Sequence, residues 1–127
     1  MQENYLYEYA VIRFLPKVER EEFINVGIIL FSKKEKYIKC RYFIDENKIR
    51  LFSTEAEIAL IQDNLEALNK ICSGHKSGGP IAKLEIHERF RWLTAIRSAS
   101  IQTSRPHPGF ATDLDKTVDD LFEELVL

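Results

Sequence analysis

The sequence predicts an α+β fold, in which an antiparallel sheet of three to four strands carries about three packed helices. Two observations predict it. The first third of the chain alternates in polarity with a period of two, and the rest repeats apolar residues every three or four positions. With 127 residues, 45% of them apolar and 30% charged, the chain fits one domain over residues 1–127.

Three strands are predicted near the start of the chain. Residues 5–15 alternate two faces and are rich in aromatic and β-branched side chains, as strands are. Residues 23–31 are apolar on both faces, which predicts a strand that is covered on both sides. After a short polar hairpin loop, residues 37–44 alternate again, and Lys39 and Arg41 are expected to point away from the core. An antiparallel meander follows from this pattern.

Helices are predicted in the remaining two-thirds of the chain. Apolar residues recur at helical spacing over 58–71 and over 86–96, and a last amphipathic helix has its apolar face over 114–125, with Thr112 as its cap. Between the last two helices, 98–103 predicts a short fourth strand and 105–109 a stiff turn that contains two prolines.

Composition excludes several classes of protein. The net charge of −2 predicts no bulk attraction to nucleic acid or to an anionic membrane. The longest apolar run, 28–31, is far too short to span a bilayer, and the first residues do not resemble a signal peptide. The two cysteines, Cys40 and Cys72, are expected to be reduced core thiols, so the protein is predicted to be cytoplasmic.

Sequence motifs for cofactors and metals are absent. There is no phosphate-binding loop, no dinucleotide-binding glycine motif and no His-Glu-x-x-His. We therefore expect no cofactor, no metal site and no assigned catalytic residue.

The small net charge conceals a strong asymmetry along the chain. Residues 73–110 carry six basic and two acidic side chains and all three histidines, whereas residues 111–127 carry six acidic side chains and one lysine. In the last helix, Asp119 with Glu123 and Asp120 with Glu124 are like charges four positions apart, so this helix gains from a positive neighbour. Either the acidic helix covers the basic segment, or part of that segment stays open to an anion or an acidic partner.

The second reading places a candidate binding site in the basic segment. Arginine side chains beside hydroxyl and amide donors are suited to oxyanions, and the prolines on both sides of His107 restrict its backbone. The alternatives are a solvated edge strand for the polar row of Ser98, Ser100, Gln102 and Ser104, and a plain surface turn for His107. The candidate residues are Arg91, Arg97, Gln102, Ser104, Arg105 and His107.

A second polar cluster lies near the start of the chain. Arg13 and Asn25 interrupt the two most apolar strands, and Glu22 belongs to the charged connection between them. Buried polar groups need hydrogen bonds, so these residues are expected either to pair with one another and with the connection, or to contact a ligand. Gly27 is expected to mark a β-bulge or a close helix contact.

Several strings together resemble the bacterial family catalogued as domain of unknown function 3037 (DUF3037). The resemblance spans nearly the whole chain. It rests on 7–14 with Pro16, on 19–27, on 78–81 and 88–95, and on Arg97, Ser98, Gln102, Ser104 and His107. Ile96 and Pro108 depart from it, since the family pattern would have proline and threonine there.

The resemblance implies no activity and no catalytic residue. It implies a small single-domain protein, and because some members are encoded beside kinases similar to the HipA type, it implies a partner or accessory role.

Three functional hypotheses remain at this point. The first is a non-catalytic interaction module whose basic segment binds an acidic or phosphorylated protein surface; the family resemblance implies a HipA-like kinase as the partner. The second is an enzyme acting on nucleotides or phosphate esters, with His107 as general base and Arg97 as phosphate clamp. The third, direct binding of nucleic acid, is disfavoured because the acidic last helix would repel the phosphate backbone.

Overall fold

The computed structural model describes residues 4–15, 23–51, 55–95 and 100–127. It contains five strands and four α-helices, in an order that begins with the three-stranded meander and ends with a helix. The strands are β1 (Tyr5–Phe14), β2 (Ile24–Ser32), β3 (Tyr37–Tyr42), β4 (Ile101–Thr103) and β5 (His107–Ala111). The helices are α1 (Glu46–Ile49), α2 (Glu55–Ser73), α3 (Ile86–Leu93) and α4 (Leu114–Leu125), with 3₁₀ turns at Lys76–Gly78 and Ile81–Lys83.

One antiparallel sheet organises the molecule, and β1 lies at its centre. Strand β2 pairs along almost the whole of β1 on one side and with β3 on its other side. On the opposite side of β1, β4 pairs with the end of the strand and β5 with its beginning. The predicted α+β class and the antiparallel meander are therefore confirmed, with five strands where three to four were expected.

The fifth strand comes from a region in which the sequence predicted a turn. His107 and Pro108 belong to β5 and pair with Tyr9 and Glu8 of β1. Pairing with β1 outweighs the local turn preference of the two prolines, and Pro108 is tolerated because β5 is an edge strand among the described residues. The predicted turn at 105–109 is thus wrong. Of the predicted strand at 98–103, β4 covers Ile101–Thr103, and 98–99 lie outside the described residues.

Helices cover both faces of the sheet. Alternating side chains of β1 to β3, such as Ile12, Ile29 and Ile38, pack against α2 and α3 in the largest core cluster. The other side chains of β1 and β2, such as Val11 and Leu30, pack against α4. Every residue of β2 from Val26 to Ser32 is buried, as the two-sided apolar pattern predicted.

Local signals set the ends of the last helix. The Asp113 side chain accepts a 3.1 Å hydrogen bond from the backbone N–H of Lys116, so Asp113 is the N-cap and the predicted cap, Thr112, is wrong by one residue. Both residue types cap helices, and aspartate has the additional advantage of a negative charge at the positive end of the helix dipole.

The two cysteines lie together between α2 and β3. Both are free thiols, Cys72 is 1% exposed, and the Cys40 thiol is hydrogen-bonded to that of Cys72. This hydrogen bond, together with burial, raises the pKa of Cys40 well above its usual range. The expected reduced core thiols match what the structure contains.

Candidate functional site

A basic depression lies beside α3, on the face of the sheet that carries α2 and α3. We call it the α3 depression. It has a volume of about 290 Å³. Its lining consists of Glu8, Phe31, Lys33, His87, Phe90, Arg91, Thr94 and Pro106.

Helix α3 positions one wall of this depression. His87, Arg91 and Thr94 follow one another at helical spacing, so they lie on one stripe of the helix. The buried Phe90 holds the helix in place because its ring stacks on that of Phe31, with 4.8 Å between the ring centroids. The stripe that faces the depression is therefore fixed by the packing of the helix on the sheet.

Positive charge dominates the α3 depression. Lys33 comes from the hairpin between β2 and β3, and Arg91 comes from α3; both are exposed, and no described carboxylate forms a salt bridge with either. Glu8 is the only acidic side chain among the described residues of the lining. Outside the lining, Glu88 lies 4.0 Å from the imidazole of His87. Charge and donors are thus available here for an anionic group.

Arg105 lies close to this depression through its neighbour in the chain. It is exposed and directly precedes Pro106, which belongs to the lining. Two of the predicted candidates, Arg91 and Arg105, are therefore placed in the same region of the surface.

The acidic helix α4 is on the opposite face of the sheet. Its carboxylates meet side chains of β3 that alternate with the core residues, and Arg41 pairs with Asp119 at 2.6 Å while Lys39 lies 3.6 Å from Asp115. The guanidinium of Arg41 also lies over the Phe122 ring, 4.3 Å from its centroid. The like charges of α4 predict a positive neighbour, and among the described residues that neighbour is β3.

Tyr37 completes this seam between β3 and α4. Its hydroxyl donates a 2.6 Å hydrogen bond to the Asp115 carboxylate. Partial burial, followed by this hydrogen bond, raises the pKa of Tyr37. The same bond, helped by Lys39, lowers the pKa of Asp115.

Ser104 has a structural position inside the sheet. It is 5% exposed, its hydroxyl accepts a 2.9 Å hydrogen bond from the backbone N–H of Val11, and its own N–H donates to the Val11 carbonyl. The hydroxyl also donates to the carbonyl of Arg105 at 3.1 Å. Three residues, 104–106, face two of β1 between the ladders of β4 and β5, so Ser104 bridges a bulge.

Gln102 belongs with the second polar cluster. In the sheet register, Arg13 lies directly opposite Gln102 on one side and opposite Asn25 on the other. Opposite residues of antiparallel strands point to the same face, so the three form a row across β2, β1 and β4. The structure thus unites residues from both sequence clusters.

This row is engaged with the end of α4. The Asn25 amide donates a 3.0 Å hydrogen bond to the carbonyl of Leu125, and the guanidinium of Arg13 lies 4.2 Å from the centre of the Phe23 ring. Two buried atoms, Nε of Arg13 and Oδ1 of Asn25, have no hydrogen-bond partner. The hydrogen bond to Leu125 gives the Asn25 side chain a structural role in holding α4. It does not explain why Nε of Arg13 and Oδ1 of Asn25 are buried without a partner.

His107 is separated from the α3 depression by the sheet. It is exposed on β5, and its ring lies 5.3 Å from that of Tyr9, its cross-strand partner. Tyr9 packs against residues of α4, so His107 lies on the α4 face. The remaining candidates, Arg97 and Glu22, lie outside the described residues.

Sequence reasoning missed Lys33, His87 and the apolar floor of the depression. The sequence predicts the hairpin at 32–36 as a polar loop, and its three lysines are the signal that could have pointed to Lys33. The position of this hairpin beside α3 depends on how the helix packs on β2, and a linear pattern does not contain that information.

No group of three or more His, Cys, Asp or Glu side chains in the described part of the chain could hold a metal ion. None of the helices in that part combines the length and apolarity needed to cross a bilayer.

Comparison with known proteins identifies a family and nothing further. Residues 9–126 match the family described as "Protein of unknown function (DUF3037)". No curated protein and no solved structure matches the chain.

Proposed function

This chain belongs to the DUF3037 family, whose function is unknown, and we propose that it is a non-catalytic interaction module that binds an acidic protein surface through the α3 depression. One observation carries the proposal. The carboxylates of α4 pair with Lys39 and Arg41 on the far face of the sheet, which leaves Lys33 and Arg91 accessible to a partner.

The chemistry of these two residues favours carboxylates or phosphates as their targets. Arginine presents paired N–H donors that match the paired oxygens of such groups, and Lys33 adds a point charge from the hairpin between β2 and β3. The exposed Arg105 supplies a further guanidinium near Pro106.

Binding through the α3 depression does not use the base of the enzyme hypothesis. His107 is exposed on the α4 face, whereas Arg91 is on the α3 face. The phosphate clamp of that hypothesis, Arg97, lies outside the described residues. A kinase similar to the HipA type is the first partner to test, since the family resemblance implies that neighbourhood.

Affinity purification from native cells with quantitative mass spectrometry tests the proposal. The baits are the natural chain, the double variant Lys33→Glu/Arg91→Glu and the control Lys48→Glu, which reverses an exposed charge on α1. We expect the double variant to lose the captured partner, because like charges at an interface oppose association, while the control retains it.

Salt dependence provides a second readout. Since the contacts are exposed charges, capture should weaken as salt rises toward ~1 M, where the screening length falls to about 3 Å. Capture of the same proteins by the natural chain and by the double variant would refute the proposed surface.

A further inference from the structure

An uncovered part of the sheet lies next to the α3 depression. Leu6 and Phe110 are cross-strand partners on β1 and β5, and they are 54% and 69% exposed. Glu8 and Pro108 form the adjacent cross-strand pair and are exposed as well. We call these four residues the open sheet face.

The open sheet face continues the floor of the α3 depression. Side chains two apart on a strand share a face, so Leu6 is on the same side as Glu8, which lines the depression. Cross-strand pairing puts Phe110 on that side too. On the reverse side of the same strands, Tyr5 and Tyr7 pack against residues of α4. Among the parts of the chain that the structure describes, the sheet is therefore covered at this end on one side only.

The exposed Leu6 and Phe110, next to the basic α3 depression, suit a partner that is both apolar and acidic. Burying Leu6 and Phe110 would remove apolar surface from water, and Lys33 and Arg91 stand at the edge of the same surface to receive carboxylates. We propose, building on the function proposed above, that the partner contributes an acidic amphipathic helix that lies beside α3 on the open sheet face. Its apolar side contacts Leu6 and Phe110, and its acidic side contacts Lys33 and Arg91.

A helix is favoured over an added strand by the nature of the sheet edge. Strand addition uses the backbone donors of the edge strand, and Pro108 removes one of the few that β5 possesses. A helix satisfies its own backbone and needs only side-chain contacts. It would also extend the layer that α2 and α3 form on this face.

A second copy of this chain is disfavoured as the occupant by charge. Lys33, Arg91 and Arg105 would approach their counterparts in an isologous contact, and the described lining offers only Glu8 to offset them, with Glu88 beside it. The exposed acids of α4 offer no alternative. The apolar side of that helix is already packed on the sheet.

Peptide display tests the nature of the partner. A library of random peptides long enough for about four helical turns is selected on the immobilised full-length chain, with the bare support used for counter-selection. We expect enriched peptides to carry apolar residues at three- and four-residue spacing, interleaved with Asp and Glu.

Affinities of the best enriched peptide for the natural chain and three variants then test the two halves of the surface. By fluorescence anisotropy, Leu6→Ser/Phe110→Ser should weaken binding about tenfold or more, and Lys33→Glu/Arg91→Glu should do the same. Leu60→Ser is the matched control: this leucine of α2 is 57% exposed, and its loss should leave affinity unchanged. Because Leu6 and Phe110 are more than half exposed, the first variant should keep its thermal unfolding temperature.

Each other outcome overturns a defined part of the argument. Acidic peptides without helical periodicity, insensitive to Leu6→Ser/Phe110→Ser, would refute the helix and leave the proposed function standing. Peptides that alternate with a period of two would also refute the helix, in favour of strand addition at β5. Failure to enrich acidic peptides at all would count against both proposals.

Discussion

The hydroxyl of Tyr37 on β3 donates a 2.6 Å hydrogen bond to Asp115 on α4, across 78 positions of the chain. Together with the Arg41–Asp119 pair, this contact joins the acidic helix to the strand that carries Lys39 and Arg41. The seam has a functional consequence, because it keeps the carboxylates of α4 away from the α3 depression. It also makes the docking of α4 dependent on pH.

The seam should weaken in acid. Because the pKa of Asp115 is lowered in the folded protein, its contribution to stability is present above its ordinary value of 3.8 and is lost as the pH falls through the folded value. We expect Tyr37→Phe to be less stable than the natural chain at neutral pH and the difference to shrink below pH 3.8. Urea unfolding of both proteins across this range measures it.

In alkali, the stability contribution of Tyr37 is lost as the pH rises, the opposite of the loss in acid. The raised pKa of Tyr37 means that its contribution is complete below 10.0 and is lost only above that pH. Tyr5→Phe serves as the control, since no side-chain hydrogen bond joins its hydroxyl to a described carboxylate. A stability difference between Tyr37→Phe and the natural chain that stays constant from neutral pH into acid would contradict the role assigned to Asp115.

The bulge at Ser104 supports a second prediction. Ser104→Ala removes the acceptor of the buried Val11 N–H, and leaving such a donor unsatisfied costs about 1–3 kcal/mol. Thr103→Val is the matched control, because the Thr103 hydroxyl is buried without a partner and its loss should be neutral or stabilising. Chemical denaturation of both variants provides the comparison. Equal destabilisation would show that the Ser104 hydroxyl does not hold the bulge.

Much of the fold could be predicted because its signals are local. The alternation over 5–15 and the two-sided apolar run over 23–31 report directly on β1 and β2, and the helical stripes report on α2 to α4. The alternation of Ser98, Ser100, Gln102 and Ser104 predicts one exposed polar face, which is wrong for Ser104 because a bulge interrupts the alternation and turns this side chain inward. Ser98 lies outside the described residues.

The candidate site was harder to predict because it depends on contacts between distant parts of the chain. Charge patterning showed that α4 needs a positive neighbour, but it did not show that Arg41 of β3 meets Asp119. Similarly, Arg89 was counted with the basic segment, yet its guanidinium donates to backbone carbonyls at the end of α2. Sequence gives the charge of a residue, and packing decides whether that charge is exposed.

Close packing at Gly27 supports a third prediction. The register between β1 and β2 shifts beside this glycine, which confirms the expected bulge. A Cβ at position 27 would lie 2.8 Å from the carbonyl oxygen of Arg41 and 2.9 Å from a methyl group of Ile12. Gly27→Ala should therefore destabilise the chain by about 1–3 kcal/mol, as overpacking does in other cores. A thermal unfolding temperature equal to that of the natural chain would contradict this packing.

Substitutions of two neighbouring arginines of α3 should have different effects: one should lower the free energy of unfolding, and the other should weaken partner capture. Nη1 of Arg89 donates to the carbonyl of Cys72 at 3.2 Å and, more weakly, to that of Ile71 at 3.4 Å, which also accepts from the backbone N–H of Gly74. Arg89→Met therefore removes the side-chain donor of the Cys72 carbonyl at the end of α2. We expect a loss of about 1–2 kcal/mol in the free energy of unfolding, measured by urea denaturation. Partner capture should persist, because this guanidinium faces the protein.

Arg91→Met should behave in the opposite way. Its side chain is exposed and lines the α3 depression, so stability should change by less than about 0.5 kcal/mol while partner capture falls. Both substitutions remove one positive charge from the same helix, so net charge alone predicts equal effects on binding. If Arg89→Met and Arg91→Met reduce capture equally in a folded protein, long-range charge and not the geometry of the depression governs recognition.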